Sequence, residues 1–310
     1  MMIDILDDIL GTLALSGVLY FRTDFSGPWA VQVPTLQHAA RFHLVLEGSC
    51  WVEPQGAKGI MLGPGDMILI PDGLSHTLAD TPGRPAPSLE TVLEEAGYDG
   101  NQVLTLGETQ NSATTKMLCG HFSFRDGAHH PVLDSLPDHV LITGATREEH
   151  PWLDELLSLL GRRALTEEMG GKSSVKRMSE IVFIEILRNG IARTPRMDAM
   201  LAGFRDRQIS RAVLAIHQTP EIAWTVDSLA SEAGMSRSGF AERFREFLGV
   251  GPITYLTEWR LQKALSLLGE TQQSIQEIAN STGYQSAAAF TRAFAAKFGA
   301  APRDFRGQRT

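Results

Sequence analysis

From about Tyr20 to Phe124 the apolar residues come in short runs or alternate with polar ones: ARFHLVLEG at 40–48, CWVEP at 50–54, GDMILIP at 65–71 and TKMLCGHFSF at 115–124, separated by Gly and Pro. Runs of that length and period predict β-strands. The interruption over 81–112, rich in Pro, Gly, Glu and Thr, predicts a long exposed loop. After His150 the period becomes helical. Leu153, Leu156, Leu157 and Leu160 form one stripe that Gly161 is placed to end. A second helix is predicted over 174–188, apolar nearly all round at Ile181, Val182, Phe183, Ile184, Ile186 and Leu187. Such a helix needs cover on several sides, between domains or at a dimer contact. NGIARTPRM, 189–197, reads as a linker, and everything beyond it to Phe305 as helical.

The last third repeats itself. Leu229, Ala230 and Gly234 recur 49 residues later as Ile278, Ala279 and Gly283. Phe240, Phe244, Leu248, Gly249, Pro252 and Tyr255 recur 50 residues later as Phe290, Phe294, Phe298, Gly299, Pro302 and Phe305. Each copy predicts a helix, a glycine-containing turn and a second helix. Thr225 and Ser236 are placed to cap the helices of the first copy, and Gly234 to turn between them. In the second, Ser274 and Glu277 form a capping box, Gly283 turns and Ser286 caps. Two helices joined this way are the helix-turn-helix shape, whose second helix enters the major groove. With the phenylalanines inward, Ser238, Glu242, Arg245 and Glu246 face outward in the first copy, with Arg237 at the helix start. In the second, Ala288, Arg292, Ala295 and Ala296 face outward and Thr291 lies on the flank. Arg suits guanine or phosphate, Glu suits cytosine N4, and Ala suits only a thymine methyl or close backbone approach. A helix from Pro252 to Leu268 joins the copies, spanning ~25 Å. That length holds two reading helices about one DNA turn apart, ~34–36 Å.

Charge agrees with this division. The chain carries −8 overall, but from Phe204 onward 13 Lys and Arg outnumber 10 Asp and Glu, so the acidity lies in the residues before it. At 310 residues two domains are expected, and with 43% hydrophobic and 21% charged residues wholesale disorder is excluded. The start, MMIDILDDIL, lacks a basic signal region, and the apolar stretch 9–21 is short of the ~18–20 residues that cross a bilayer. Two cysteines, Cys50 and Cys119, make no disulfide scaffold and point to a reducing compartment. A cytoplasmic chain with no membrane partner is expected.

Residues 206–306 resemble the DNA-binding domain of the AraC/XylS family of bacterial transcription regulators. The resemblance rests on WTVDSLASEAGMSRSGFAERFREFLGVGPITYL, on WRLQKALSLL, and on SIQEIANSTGYQSAAAFTRAFAAKFGAAPRDFR. It implies that Ser238, Ala241 and Glu242, and then Ala287, Ala288, Thr291 and Arg292, approach bases, and that Arg237, Arg243 or Arg245 take phosphates. Double-stranded DNA, RNA polymerase and a second copy of the chain are the implied partners, and activation is the implied mode.

In front, GDMILIPDGLSH, 65–76, fits the G-x5-P-x-G-x2-H motif of the cupin β-barrel, and ARFHLVLEG resembles the end of its first motif. The expected fold class is therefore α+β with two domains. It comprises an antiparallel cupin-like barrel over 1–146, a helical linker and dimerisation region over 147–200, and an all-α double helix-turn-helix over 204–310. The position of the usual metal-binding carboxylate holds Arg41, and only His38 lies near the usual histidine pair. An arginine disfavours a cation and suits an anionic or carbonyl-bearing ligand. No cofactor is expected. Arg41, His43 and His76 are the candidate effector pocket, and an ion held by His43, His76, His121 or Cys119 is the alternative. His121, His129 and His130 are read first as core or loop residues. Cys119 and Cys50 are redox candidates only if a positive neighbour lowers a thiol pKa. The leading reading is a sequence-specific transcription regulator governed by an unknown small-molecule or redox effector. A metal-dependent cupin enzyme with a DNA-binding tail and an architectural DNA binder are the alternatives.

Overall fold

The computed structural model describes residues 4–306 except 101, 108–113, 165, 167–168, 190 and 193. Helix α1 (Ile5–Leu13) precedes strands β1 (Ser16–Ser26), β2 (Ala30–Val33), β3 (Ala39–Glu47), β4 (Cys50–Pro54), β5 (Ile60–Leu62), β6 (Met67–Ile70) and β7 (His76–Ala79). Then come α2 (Leu89–Glu95), β8 (Leu104–Leu106), β9 (Thr114–Ser123), α3 (Pro131–Asp134), β10 (Val140–Ile142), α4 (Gly144–Glu149), α5 (Pro151–Ala164) and α6 (Gly171–Arg188). The rest is helical: α7 (Pro195–Arg205), α8 (Ile209–Gln218), α9 (Val226–Ala233), α10 (Arg237–Leu248), α11 (Pro252–Glu270), α12 (Ile275–Ser281) and α13 (Ala287–Phe298), closed by a 3-10 turn at Pro302–Phe305.

The chain forms two compact units. One takes Ser16–Ser123 and Leu136–Ala192, the other Met1–Leu15, Phe124–Ser135 and Arg193–Thr310. The division differs from the boundaries expected from sequence. Residues 1–15 and 124–135, assigned there to the barrel, group with the helix-turn-helix region, and α7 belongs to that region too. Gly203 of α7 lies so close to Phe247 of α10 that a Cβ there would meet the ring's Cβ at 2.7 Å.

The β unit stacks two sheets, ordered β10-β6-β3-β9-β1-β8 and β2-β7-β4-β5. Pairing is antiparallel except between β1 and β8, which run parallel. The two glycines of the cupin motif have a backbone reason: Gly65 and Gly73 hold φ of +83° and +57°. At Gly73 a Cβ would also sit 2.2 Å from the Leu36 carbonyl oxygen. Strand β3 is buried along most of its length, so both its faces are covered. Its even positions pack outward, where Phe42 stacks on Phe122 of β9 at 5.0 Å and Phe122 meets Phe183 of α6 at 4.8 Å. Helix α6 is held there by Glu180, which accepts a buried hydrogen bond from the Gly17 amide at 2.9 Å. Val182, Phe183, Ile186 and Leu187 are thereby covered within this unit, while Ile181 stays 45% exposed.

The loop expected over 81–112 contains two elements. Ser88 caps α2 by accepting from the Thr91 amide, and Leu89, Val92 and Leu93 turn one face of it inward. Its end, at 108–113, lies outside the described residues. The expected linker is shorter than 189–197, because Thr194 caps α7 with Pro195 in the first turn; residues 190 and 193 of it lie outside the described set.

In the helical unit α1 packs on α8 and α11. Asp4 caps it and Ala14 ends it with φ +53°. The Arg125 amide donates to the Leu13 carbonyl at 3.0 Å, and the Arg125 guanidinium reaches the carbonyls of Leu265 and Ser266 and the Glu270 carboxylate on α11. Between these segments runs a buried polar chain. The Val132 amide donates to His130 Nδ1, so the Nε2 of His130 carries its proton toward the Tyr255 hydroxyl, 3.1 Å away. That hydroxyl in turn donates to His217 Nε2 at 2.8 Å. His217 Nδ1 then lies 3.0 Å from Asp8 Oδ2, bent from a straight hydrogen bond, and its ring stacks on Trp259 at 3.7 Å. Burial keeps both histidines below their ordinary pKa, so the chain runs through neutral rings and ends on one carboxylate.

Candidate DNA-reading face and effector cavity

Each helix-turn-helix pair is set by local chemistry. In the first, Thr225 and Ser228 exchange capping bonds, Gly234 holds φ +65°, the Met235 amide returns to the Ala230 carbonyl, and Ser236 accepts from the Gly239 amide. In the second, Glu277 accepts from the Ser274 amide, Gly283 holds φ +80°, the Tyr284 amide returns to Ala279, and Ser286 accepts from Ala289. Phe240, Phe244, Phe290 and Phe294 are all fully buried. Sequence reasoning missed the residue that ties the pairs together. Arg260 of α11 donates to the carbonyls of Pro220 and Ile222 before the first pair, and its guanidinium lies against Gly283 in the turn of the second.

On α10 and α13, Arg237, Ser238, Glu242, Arg245, Ala288 and Arg292 are exposed, and Ala241, Ala287 and Thr291 are half-buried. Arg237 pairs with Asp227 at 2.9 Å, both well exposed. Such a pair contributes only ~0–1 kcal/mol and exchanges readily for a phosphate. Arg243 is different. It bonds Asp206, whose other oxygen accepts from the Gln208 and Ile209 amides at the start of α8, so it serves the helix packing.

In the β unit, strand parity gathers the predicted pocket residues. Arg41 and His43 share one face of β3, and directly opposite them on β9 stand His121 and Cys119. From the other sheet His76 reaches across, its Nε2 2.7 Å from that of His43. Arg41, His43 and Cys119 line a cavity of about 400 Å³ whose walls are otherwise mostly apolar. Leu89 of α2 and Leu104 of β8 belong to that wall, from the stretch the sequence presents as loop. His76 and His121 are buried near it and held down to about 4, by burial and by the Arg41 charge.

The cupin fold suggests a metal, but these residues do not fit one. Among the described residues no group of three or more His, Cys, Asp or Glu is placed to hold an ion, and Arg41 opposes a cation. The cysteines also fail the condition set for a redox sensor. Both are buried, which pushes the Cys50 thiol up to about 12 and that of Cys119 upward as well. Of the remaining histidines, His129 is exposed beside Asp134 at 2.9 Å and His130 belongs to the polar chain.

Comparison with known proteins agrees with both units. Residues 4–192 match the family described as Cupin, and residues 229–308 match that described as Helix-turn-helix domain. The chain is 32% identical over 308 residues to the HTH-type transcriptional regulator AlkR of Acinetobacter baylyi, covering 98% of each protein. A putative AraC-like transcription regulator of Streptomyces lividans is 30% identical over 312 residues, again at 98% of each. Among solved structures, the DNA-binding domain of AdpA in complex with a target DNA is 31% identical over 33% of this chain and 90% of that one, with a TM-score of 0.31. Among the described residues no helix is long and apolar enough to cross a membrane. The chain belongs to the AraC-like HTH-type transcriptional regulators, DNA-binding proteins that here carry a cupin domain in front.

Proposed function

We propose that this regulator reads DNA with α10 and α13 in two successive major grooves, and that a ligand in the β-unit cavity controls it. The supporting observation is the matched pair of capped helix-turn-helix units, each with buried phenylalanines behind and polar residues in front. Helix α11, at 19 residues, spans ~28 Å between them. In this reading Ser238, Ala241, Glu242, Ala287, Ala288, Thr291 and Arg292 approach bases, while Arg237 and Arg245 take phosphates. We further propose that the chain acts in the cytoplasm as a homodimer joined through α5 and α6, where Leu159 and Ile181 remain exposed at 40% and 45%. Contact with RNA polymerase, and activation rather than repression, follow the family resemblance. No catalysis is proposed for the cavity.

A single subunit is expected to protect about two DNA turns. Arg292→Ala is expected to lower specific affinity by about 1–3 kcal/mol in a salt-controlled binding titration. An unchanged affinity would remove Arg292 from the reading face. Glu242→Ala should relax base preference in a binding-site selection while general affinity persists; an identical selected sequence would argue against it.

A further inference from the structure

The polar end of the cavity has an unfilled requirement. A carbonyl oxygen can only accept, so the 2.8 Å contact between His76 Nδ1 and the Leu74 carbonyl places a proton on that nitrogen. Neutral His76 then presents a bare Nε2, and the 2.7 Å contact makes His43 Nε2–H its donor. His43, 3% exposed, is left with a bare Nδ1 that finds no hydrogen-bond partner among the described residues. Beside it on the same face of β3 lies Arg41, 6% exposed and donating to the Pro34 carbonyl at 3.0 Å. No Asp or Glu lines the cavity. A buried guanidinium without a carboxylate in reach is costly, and an anion relieves it. A carboxylate placed there would set its own lone pairs against that of His43 Nδ1. One added proton removes the conflict.

We infer that the cavity takes a monocarboxylic acid with an apolar body, its carboxyl group set between the Arg41 guanidinium and His43 Nδ1, and that binding takes up one proton. The inference rests on the reading of this cavity as the effector site. The body would lie among Phe21, Phe25, Val33, Leu78, Leu89 and Leu104, in a space at the lower end of the ~300–1,000 Å³ typical of small-molecule sites. The charged and titratable groups facing His43 are Arg41 on its own strand, Cys119 and His121 on β9, and His76 on β7. Its β6 partner is Ile68, and β1, α2 and β8 contribute only apolar or hydroxyl side chains to the cavity. The ligand therefore brings the negative charge that this set lacks. Free His43 is neutral at pH 7, since burial and then the His76 and Arg41 charges hold it well below its ordinary value. The free acid is ionised there too, so the complex carries one proton more than its parts.

The test is calorimetric titration of the full chain with straight-chain monocarboxylates of four to twelve carbons, benzoate and naphthoate, each beside the matching alcohol. The expected result is at least one acid that binds about tenfold or more tighter than its alcohol, with uptake of about one proton across buffers of different ionisation heat. Its Kd should rise about tenfold per pH unit from 6 to 8. Arg41→Met should bring acid and alcohol to similar affinity. His43→Gln supplies an amide donor without a titrating group, so it should bind the acid with the pH dependence removed. Binding of no acid, equal binding of acid and alcohol, or binding without proton uptake each overturns the inference. Failure of the effector-site reading looks different: the acid binds with these signatures and leaves operator affinity unchanged. The converse outcome, a cavity-filling Val33→Trp that alters operator binding while wild type binds no acid, keeps that reading and discards the ligand class.

Discussion

A chain carrying Ile9→Asp is expected to lose about 3–5 kcal/mol of stability in the DNA-binding unit, although the substitution lies in the ninth residue. Ile9 is fully buried on α1, flanked by Ile5, Leu10 and Leu13, and α1 packs on α8 and α11. An aspartate there would either sit uncompensated in an apolar contact or pull the helix away, uncovering the four side chains. At ~1.5–3 kcal/mol for each buried aliphatic side chain, detachment costs as much as the buried charge. Hydrogen exchange is the direct measurement. Amides of α8 and α11 should exchange faster in the variant, with operator affinity falling in parallel. Unaltered protection of both helices would show that α1 contributes nothing to them.

Tyr255→Phe is expected to cost about 2–4 kcal/mol, far above the usual effect of removing one hydroxyl. The hydroxyl accepts from His130 and donates to His217, so its loss strands two buried ring nitrogens at ~1–3 kcal/mol each. The phenyl ring keeps the packing, which isolates the polar term. Urea unfolding of the two chains measures the difference, and a loss under about 1 kcal/mol would mean that the nitrogens find other partners. The same chain of bonds sets a pH dependence. Burial raises the Asp8 pKa, but His217 and Lys263 together bring it below the ordinary 3.8. A carboxyl depressed in the folded state adds stability above its unfolded pKa and forfeits it as pH falls through the folded one. Stability should therefore fall with acidification below about pH 4, and Asp8→Asn should flatten that limb.

What was legible in the sequence was what short-range chemistry decides. The caps at Thr225, Ser236, Ser274 and Ser286, the turn glycines and the paired phenylalanines each act within a dozen residues, so the pattern alone located α9, α10, α12 and α13. Strand parity placed Arg41 and His43 on one face, and the register with β9 and the contact with His76 completed the group. The α2–β8 segment was misread because Pro and Gly surround a helix of seven residues and a strand of three, too short for periodicity to show. The chain from His130 through Tyr255 and His217 to Asp8 had no sequence signal at all. Its members are far apart in sequence, and only tertiary packing pairs them.

The grouping of Met1–Leu15 with Arg193–Thr310 also constrains how the protein is made. A ribosome delivers α1 first and its seat on α11 almost last; at ~5–20 residues per second the interval is on the order of 10–50 s. Until then Ile5, Ile9, Leu10 and Leu13 have no partner on the growing chain, an apolar strip of the sort chaperones hold. A tag, a delayed start codon or a permuted gene order would change that wait, and with it the yield of folded regulator, without altering a single residue that touches DNA.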